Sequence, residues 1–261
     1  MKMAVINVLY YVTIFEKRRK REEGKMVIDF HSHILPAIDD GSRDLNTSVN
    51  MIRRCEEQGV GCIIATPHFY AVHDKMERFL ERRARAYEKL KKELPCSAPE
   101  IYLGGEVAFF RGISRAEHLE ELTIGNSDLI LLEMPFAPWS GSDIEEVERL
   151  VNHSGFRYIL AHLERYLAIP ENKRGLERLL ELPVVVQVNA GSLLEWKTRG
   201  KTLRLLKKSE SCVLGSDCHG MHHRMPNLGE GRKMAEKKLG RDFLNRIDRD
   251  GERLIEDIRR G

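Results

Sequence analysis

Residues 26–33 read Met26-Val-Ile-Asp-Phe-His-Ser-His33, an apolar run that leads directly into two histidines. Six further apolar runs end in the same way, in residues that can bind a metal or orient a ligand: His68, Glu106, Glu133, His162, Asn189, and the pair Asp217 and His219. In parallel α/β barrels the reactive groups sit at the carboxyl ends of the strands. The repetition therefore indicates a barrel rim at which a multinuclear metal site is assembled.

From Met26 onward, short apolar runs alternate with longer amphipathic ones. The apolar runs predict strands at 26–30, 60–66, 100–106, 128–134, 157–162, 184–189 and 212–217. The amphipathic stretches predict helices near 43–58, 74–94, 113–121, 143–154, 171–181 and 200–209. Such alternation is typical of βα units around a parallel sheet that is covered on both faces. We therefore predict an α/β fold, a distorted (β/α)7 TIM-like barrel that occupies residues 26–261 as a single domain.

The composition limits the classes of protein to which the chain can belong. It has 261 residues, 42% of them hydrophobic, which suits one core of barrel size. The net charge of +3 provides no global basic surface for nucleic acid. The five cysteines are odd in number and lack paired spacing, which predicts free thiols in a reducing compartment and hence a cytoplasmic protein.

The first 25 residues differ in composition from the rest of the chain. Their apolar part, Ala4 to Phe15, is shorter than the roughly 18 residues that a membrane span requires. The basic cluster follows this part, which is the reverse of the order in a signal peptide. We interpret residues 1–25 as a disordered or non-native extension; the alternative is an anchor at an anionic lipid surface. Stable insertion into a membrane is not expected.

Imidazoles and carboxylates together form the predicted metal site. His31 and His33 flank one residue of an extended chain, so both side chains point to the same face. The next loop contributes Asp39-Asp40-Gly41. Imidazole suits Zn, Fe and Mn, and carboxylates shift the preference toward Mn; a central Glu106 could bridge two ions. So many polar groups at the ends of buried strands would be costly to bury without a metal.

Seven motifs carry a resemblance to a known family: Ile28-Asp-Phe-His-Ser-His-Ile-Leu-Pro36, Ile38-Asp-Asp-Gly41, Ala65-Thr-Pro-His68, Gly105-Glu106, Ala161-His-Leu-Glu-Arg-Tyr166, Gln187-Val-Asn-Ala-Gly-Ser192 and Gly215-Ser-Asp-Cys-His219. From Met26 almost to the C-terminus, the chain resembles the polymerase-and-histidinol-phosphatase (PHP) superfamily. More narrowly, it resembles the bacterial manganese-dependent protein-tyrosine phosphatases of capsule and exopolysaccharide synthesis. Asp-Asp-Gly and His-x-x-Arg-Tyr are marks of that branch.

The resemblance implies a PHP-type domain with three divalent ions, Mn first and Fe or Zn as alternatives. It implies three ligand sets: His31, His33, Glu106 and Asp217; Glu106, Glu133 and His162; and Asp40, His68 and His219. Asp40 falls on the ligand position of the family, although the sequence by itself does not separate it from Asp39.

Two arginines closely follow candidate ligands: Arg165 comes three residues after His162, and Arg224 comes five after His219. Such arginines can grip phosphoryl oxygens in a forked contact, and both fall on phosphate-binding positions of the family. The resemblance implies attack of a metal-bound hydroxide on phosphotyrosine. The implied partner is the tail of a membrane-associated bacterial tyrosine kinase that controls polysaccharide export.

Alternatives remain open at this stage. The same metals could serve a small-molecule phosphatase, for example one that acts on histidinol phosphate, and an idle scaffold that binds the kinase tail is a third hypothesis. Cys218 and Arg224 also satisfy the Cys-x5-Arg spacing of thiol-based phosphatases, but the predicted metal ligands on either side of Cys218 argue against that chemistry. Departures from the family pattern at Ala37, Phe69 and Arg249-Asp250 bear on substrate fit, not on the predicted ligands.

Overall fold

The computed structural model describes residues 26–260, so the predicted extension at residues 1–25 lies outside the described residues. Within these residues there are nine strands: β1 Val27–Ser32, β2 Val60–Ala65, β3 His68–Phe69, β4 Glu100–Leu103, β5 Glu106–Ala108, β6 Leu129–Glu133, β7 Arg157–Leu160, β8 Val185–Asn189 and β9 Ser211–Gly215. The α-helices are α1 Leu45–Glu57, α2 Met76–Glu93, α3 Gly141–His153, α4 Lys173–Leu179, α5 Ala190–Leu194, α6 Trp196–Lys208, α7 Leu228–Leu239 and α8 Arg241–Arg260. Short 3₁₀ helices lie at Ile113–Arg115, Leu119–Leu122, Leu163–Ala168 and Pro170–Asn172.

The strands form two parallel sheets, in the orders β1-β2-β4 and β3-β5-β6-β7-β8-β9. Backbone hydrogen bonds join the two sheets on one side: His33 N–H donates to the Cys218 carbonyl at 3.0 Å, and Asp217 N–H donates to the His31 carbonyl at 2.7 Å. The prediction of a parallel α/β fold is confirmed. Strands alternate with helices that cover the sheets, as expected for parallel strands.

One of the predicted strands is interrupted, and another is followed by a short additional strand. The predicted strand 100–106 is β4 and β5, separated by Gly104 and Gly105, and the predicted strand 60–66 is followed after Pro67 by the short β3. A Cβ at Gly105 would lie 3.2 Å from the ring of Phe79, so the chain passes close to α2 at this break. As a consequence, Glu106 and His68 each open a strand and do not close one.

The two C-terminal helices, α7 and α8, were not among the predicted elements. The buried side of α8 carries apolar residues at helical spacing: Leu244, Ile247, Leu254, Ile255 and Ile258. Three of these, Leu254, Ile255 and Ile258, share a buried cluster with Ile28 and Phe30 of β1. A Cβ at Gly251 would lie 3.0 Å from the Phe30 ring, so glycine allows this close packing. Among residues 26–260, none of the helices has the length and apolar character needed to cross a membrane.

Candidate metal centre

The sheet topology brings all nine sequence-predicted metal residues to one place. Their ligand-capable atoms form four overlapping groups, within each of which the atoms lie within 4.8 Å of one another. The members of these groups are His31, His33, Asp40, His68, Glu106, Glu133, His162, Asp217 and His219. Asp40 is 66% exposed, and the other members are buried or nearly so.

The four residues of the first predicted ligand set are closely spaced. Nε2 of His31 lies 3.1 Å from Nε2 of His33 and 3.1 Å from Oε2 of Glu106. Nε2 of His33 lies 3.2 Å from the same Glu106 oxygen. Oδ1 of Asp217 is 3.5 Å from Nε2 of each histidine. Four donor atoms from three separated parts of the chain therefore surround one point.

The second and third sets share neighbours with the first. Nε2 of His162 lies 2.8 Å from Oε1 of Glu106 and 3.4 Å from Oε1 of Glu133, so Glu106 faces two sets with its two oxygens. Oδ1 of Asp40 lies 3.5 Å from Nε2 of His68 and 3.4 Å from Nε2 of His219. The Nδ1 atom of His68 lies 3.0 Å from Oε2 of Glu106, which connects the third set to the bridge.

Orphaned buried atoms indicate that the cluster fits divalent cations. Among residues 26–260, Oε2 of Glu106 and Nδ1 of His68 are buried without a hydrogen-bond partner. Burying a carboxylate oxygen without a hydrogen-bond partner costs several kcal/mol of folding free energy, because its interactions with water are lost and not replaced. Each of these atoms points at other donor atoms of the cluster, where a divalent ion would satisfy them together. A mixed set of imidazoles and carboxylates suits Mn, Fe or Zn.

The charge balance of the cluster supports the same conclusion. Burial lowers the pKa of His33, but the carboxylates of Asp217, Asp39 and Glu106 outweigh this effect and hold the pKa well above its usual range. Burial is likewise outweighed at His162, where Glu106 and Glu133 raise the pKa to about 9. Against the effect of burial, neighbouring imidazoles hold the pKa values of Glu106 and Asp217 well below their usual range. Without bound cations, the protonated imidazoles of His33 and His162 thus supply positive charge that balances the negative charge of the buried carboxylates.

Gln187 orients two of the imidazole-bearing residues, a role that the sequence analysis did not assign. Its Oε1 lies 3.0 Å from Nδ1 of His31 and accepts a hydrogen bond from the backbone N–H of His162 at 2.7 Å. Its Nε2 donates to Oδ1 of Asn189 at 2.9 Å, and Asn189 in turn donates to Oδ2 of Asp217 at 2.7 Å. The sequence did carry a signal for this role, a glutamine within an otherwise apolar strand, because a buried side-chain amide needs hydrogen-bond partners. Such outer contacts fix the direction of metal-binding side chains.

The structure separates Asp39 from Asp40. Oδ2 of Asp39 lies 2.7 Å from Nδ1 of His33 and accepts from the His68 backbone N–H at 3.0 Å, so Asp39 contacts two predicted ligands from outside the cluster. Although burial opposes it, the contact with His33 lowers the pKa of Asp39 to about 2. Asp40 faces His68 and His219, as the family resemblance implies. A Cβ at Gly41 would collide with His33, which explains the glycine of this motif.

Backbone strain accompanies two of the predicted ligands. His162 and Asp217 have φ values of 32° and 52°, in the left-handed region that side chains other than glycine avoid. Such residues cost about 1–3 kcal/mol each and persist only where their surroundings hold them. Ala37, one of the departures from the family pattern, has a φ of 55°, so its backbone conformation also favours glycine. The side chain of Phe69, another departure from the family pattern, lies in the core, where its ring centroid is 5.0 Å from that of Phe79.

The two predicted phosphate-binding arginines both reach the cluster. Nη1 of Arg224 lies 2.9 Å from Nε2 of His219, and its Nη2 forms an ion pair with Asp217. Nη1 of Arg165 lies 3.6 Å from Oδ2 of Asp217, and its guanidinium lies 4.5 Å from the centroid of the Phe136 ring. Burial, and then the positive charges of His33 and Arg224, lower the pKa of His219 to about 4, so its imidazole is neutral at pH 7. Both arginines are partly exposed and can turn toward an anion at the rim.

Cys218 is fully buried between the two predicted ligands that flank it, Asp217 and His219. Its thiol is within hydrogen-bonding reach of Cys55 on α1, and this contact and burial together raise the pKa of Cys55 well above its usual range. A buried thiol of this kind lacks the accessible, electropositive surroundings that activate a nucleophilic cysteine. Because Arg224 contacts His219 and Asp217, the arginine of the Cys-x5-Arg spacing belongs to the metal cluster.

Fold and centre together define a parallel α/β protein with a candidate multinuclear metal site. The chain belongs to the capsular polysaccharide synthesis CpsB/CapC family, whose model matches residues 27–255. The resemblance carried by the sequence motifs is thereby confirmed.

Individual relatives agree with this assignment. The tyrosine-protein phosphatase YwqE of Bacillus subtilis (strain 168) is 28% identical over 236 residues, which cover 88% of this chain and 91% of YwqE. The tyrosine-protein phosphatase CpsB of Streptococcus pneumoniae is 26% identical over 243 residues, or 88% of this chain and 98% of CpsB. Among solved structures, a chain from the work on B. subtilis YwqE and S. pneumoniae CpsB, described as unique metal-dependent tyrosine phosphatases, matches with a TM-score of 0.76. Its sequence is 27% identical, and the match covers 88% of this chain and 95% of that one.

Proposed function

We propose that this protein is a metal-dependent phosphoric monoester hydrolase that removes the phosphoryl group from phosphotyrosine in proteins. One observation carries the proposal: two partly exposed arginines adjoin a largely buried cluster of nine ligand-capable side chains. The similarity to YwqE and CpsB, both named tyrosine-protein phosphatases, supports the choice of substrate class.

We propose that the cluster holds three divalent ions, with Mn preferred and Fe or Zn as alternatives. The first ion would take His31, His33, Glu106 and Asp217; the second would take Glu106, Glu133 and His162; the third would take Asp40, His68 and His219. The short distances within each set and the unpartnered buried oxygen Oε2 of Glu106 support this assignment.

Divalent ions in such a site act as Lewis acids and lower the pKa of coordinated water, which provides a nucleophile near neutral pH. The residues of the chain supply the rest of the catalysis. Arg165 and Arg224 exchange their contacts with Asp217 for the phosphoryl oxygens and stabilise the charge that develops there. The leaving group is a phenolate whose conjugate acid has a pKa near 10, so it departs with less help from a general acid than an alkyl alcohol needs.

The rim of the centre suits an aromatic substrate on an accessible chain. Phe136 is 52% exposed and stacks on His162, with ring centroids 5.5 Å apart. Tyr70 is 41% exposed and stacks on His68 at 5.2 Å. Trp139 is buried and packs 4.9 Å from the Tyr166 ring, so it supports the rim from below. We propose that the phenyl ring of the substrate lies between the exposed rings.

Three finer features belong to the same proposal. The partner is the tyrosine-containing tail of a membrane-associated kinase, and the protein acts in the cytoplasm, in line with its five free cysteines. The two sheets act as one distorted (β/α)7 barrel, supported by the hydrogen bonds of His33 and Asp217 across one junction. At the other junction the sheets are linked by the chain itself, since β2 continues into β3 after two residues and β4 continues into β5 across Gly104 and Gly105.

The decisive experiment compares hydrolysis of a phosphotyrosyl peptide and of histidinol phosphate by the purified protein with Mn²⁺, before and after chelation. We expect peptide turnover that chelation abolishes and Mn²⁺ restores. Cys218→Ser should retain turnover, because the thiol takes no part, with Cys96→Ser as an exposed control. Metal content is measured for both variants.

Each other outcome has a definite meaning. Preference for histidinol phosphate would move the protein to the small-molecule phosphatases. Loss of turnover in Cys218→Ser at full metal occupancy would establish thiol chemistry. Binding of the peptide without turnover, unchanged by chelation, would identify a scaffold.

A further inference from the structure

A groove opens beside the metal centre, between the loop that carries Asp40 and the beginning of α2. Its volume is about 470 Å³. We call it the α2 groove and define it by its lining residues: Ile38, Asp39, Asp40, His68, Tyr70, His73, Asp74, Arg78 and Arg82. Because Asp40 and His68 also belong to the metal cluster, the groove is continuous with the centre.

The end of the groove away from the centre is basic. Arg78 is 64% exposed and Arg82 is 45% exposed, and both contact the single carboxylate of Asp74. Nε of Arg78 donates to Oδ1 of Asp74 at 2.6 Å, and Arg82 donates to Oδ2. Two guanidiniums that share one carboxylate leave one positive charge in excess.

The acidic residues at the near end are already engaged. Asp39 accepts from the N–H of His68 and Gly41 and contacts Nδ1 of His33. Asp40 faces His68 and His219 within the proposed third metal set. An anionic group in the groove is therefore drawn toward Arg78 and Arg82, which lie one helical turn, about 6 Å, apart on α2.

We propose that the α2 groove binds the peptide segment next to the phosphotyrosine, and that Arg78 and Arg82 select an acidic side chain in that segment. The proposal rests on the proposed phosphotyrosine phosphatase function, and it adds a sequence preference to it. With the phosphoryl group at the centre, a peptide that leaves the rim past Tyr70 runs directly along the groove. The arginines then pair with a carboxylate of the substrate while Asp74 holds them in place.

The test uses pairs of phosphotyrosyl peptides that differ only by Glu or Gln, placed at successive positions on either side of the phosphotyrosine. At one or two neighbouring positions we expect a kcat/KM that is about three- to tenfold higher for Glu, as partly exposed charge-assisted contacts provide. The preference should appear in KM and weaken as the salt concentration rises.

Variants assign the preference to the groove. In Arg78→Gln/Arg82→Gln the kcat/KM of the Glu peptide divided by that of the Gln peptide should fall to about one. In Arg78→Glu/Arg82→Glu, a peptide with Lys at the same position should become a better substrate than the Glu peptide. Arg85→Gln is the matched control, because Arg85 lies on the same helix and pairs with Glu81, outside the groove. It should keep the preference of the wild type.

Three results would overturn the proposal: no preference in the wild type, a preference that survives Arg78→Gln/Arg82→Gln, or a loss of preference in Arg85→Gln as well. In each case the arginines would be a surface ion cluster that stabilises the start of α2. Failure of every phosphopeptide to turn over would instead refute the proposed function. In that case the affinities of the Glu and Gln peptides would be measured directly, and equal affinities would refute recognition of an acidic side chain by the groove.

Discussion

Replacement of Gln187 tests how the centre is held together. Gln187 is fully buried, and its Oε1 serves both the Nδ1 of His31 at 3.0 Å and the backbone N–H of His162 at 2.7 Å. Gln187→Leu leaves these two donors buried without an acceptor, at about 1–3 kcal/mol each, and the apolar side chain offsets about 1–2 kcal/mol of that cost. We therefore expect the free energy of unfolding to fall by about 1–4 kcal/mol in urea denaturation of the metal-free protein.

The same variant should also bind metal less well. Loss of a group that orients metal-binding side chains typically lowers metal affinity by about 10- to 100-fold, which titration calorimetry with Mn²⁺ can measure. Gln58→Leu is the matched control, since the Gln58 amide donates to the Pro226 carbonyl and accepts from the Gly229 N–H, both at 2.7 Å. The control should lose stability and keep its metal affinity. Unchanged metal affinity in Gln187→Leu would refute the orienting role.

Three further predictions concern the loop after β1 and the flank of α3. Ala37→Gly should raise the free energy of unfolding by about 0.5–1.5 kcal/mol, because Ala37 has a φ of 55°; a lower denaturation midpoint would contradict this. Asp39→Asn should destabilise the protein by about 1–3 kcal/mol. Asp40→Asn should instead reduce the bound metal measured by elemental analysis, with stability changed by less than about 0.5 kcal/mol. Although burial opposes it, hydrogen bonds from Arg149 and Ser114 lower the pKa of Glu146 from 4.5 to about 2. Glu146 therefore stabilises the fold above pH 4.5, and the stability difference from Glu146→Gln should shrink as the pH falls from 4.5 to about 2; a constant difference would disprove the assignment.

The pattern of apolar runs was sufficient to predict where the site lies, because the residue that follows each run can be identified from local sequence alone. Each apolar run followed by a histidine or carboxylate predicts one side chain at one end of the sheet, and parallel strands bring those ends together. His31, Glu133 and Asp217 converge for this reason. The pattern does not show breaks within a strand, and so Glu106 was placed at the end of a strand that it begins. The helix α8 was readable from its apolar spacing, although its packing on Phe30 was not.

Contacts between distant residues account for what the sequence could not predict. Asp39 and Asp40 are adjacent and chemically identical, and only the folded loop decides which one faces His33 and which one faces His219. The role of Gln187 depends on His31 and His162, which are far from it in sequence. The arginines of the α2 groove read as part of a solvated helix face, because no local pattern reveals that α2 begins beside the metal centre.

The first and last strands of the sheet system lie side by side, and this arrangement has a consequence for biogenesis. His31 and Asp217 are hydrogen-bonded neighbours, yet 186 positions separate them along the sequence. A ribosome must therefore release the chain as far as Asp217 before the complete pocket exists. Contacts of such long sequence separation also slow folding. The ligand set around His31 and Asp217 can thus select a metal only once β9 has docked beside β1.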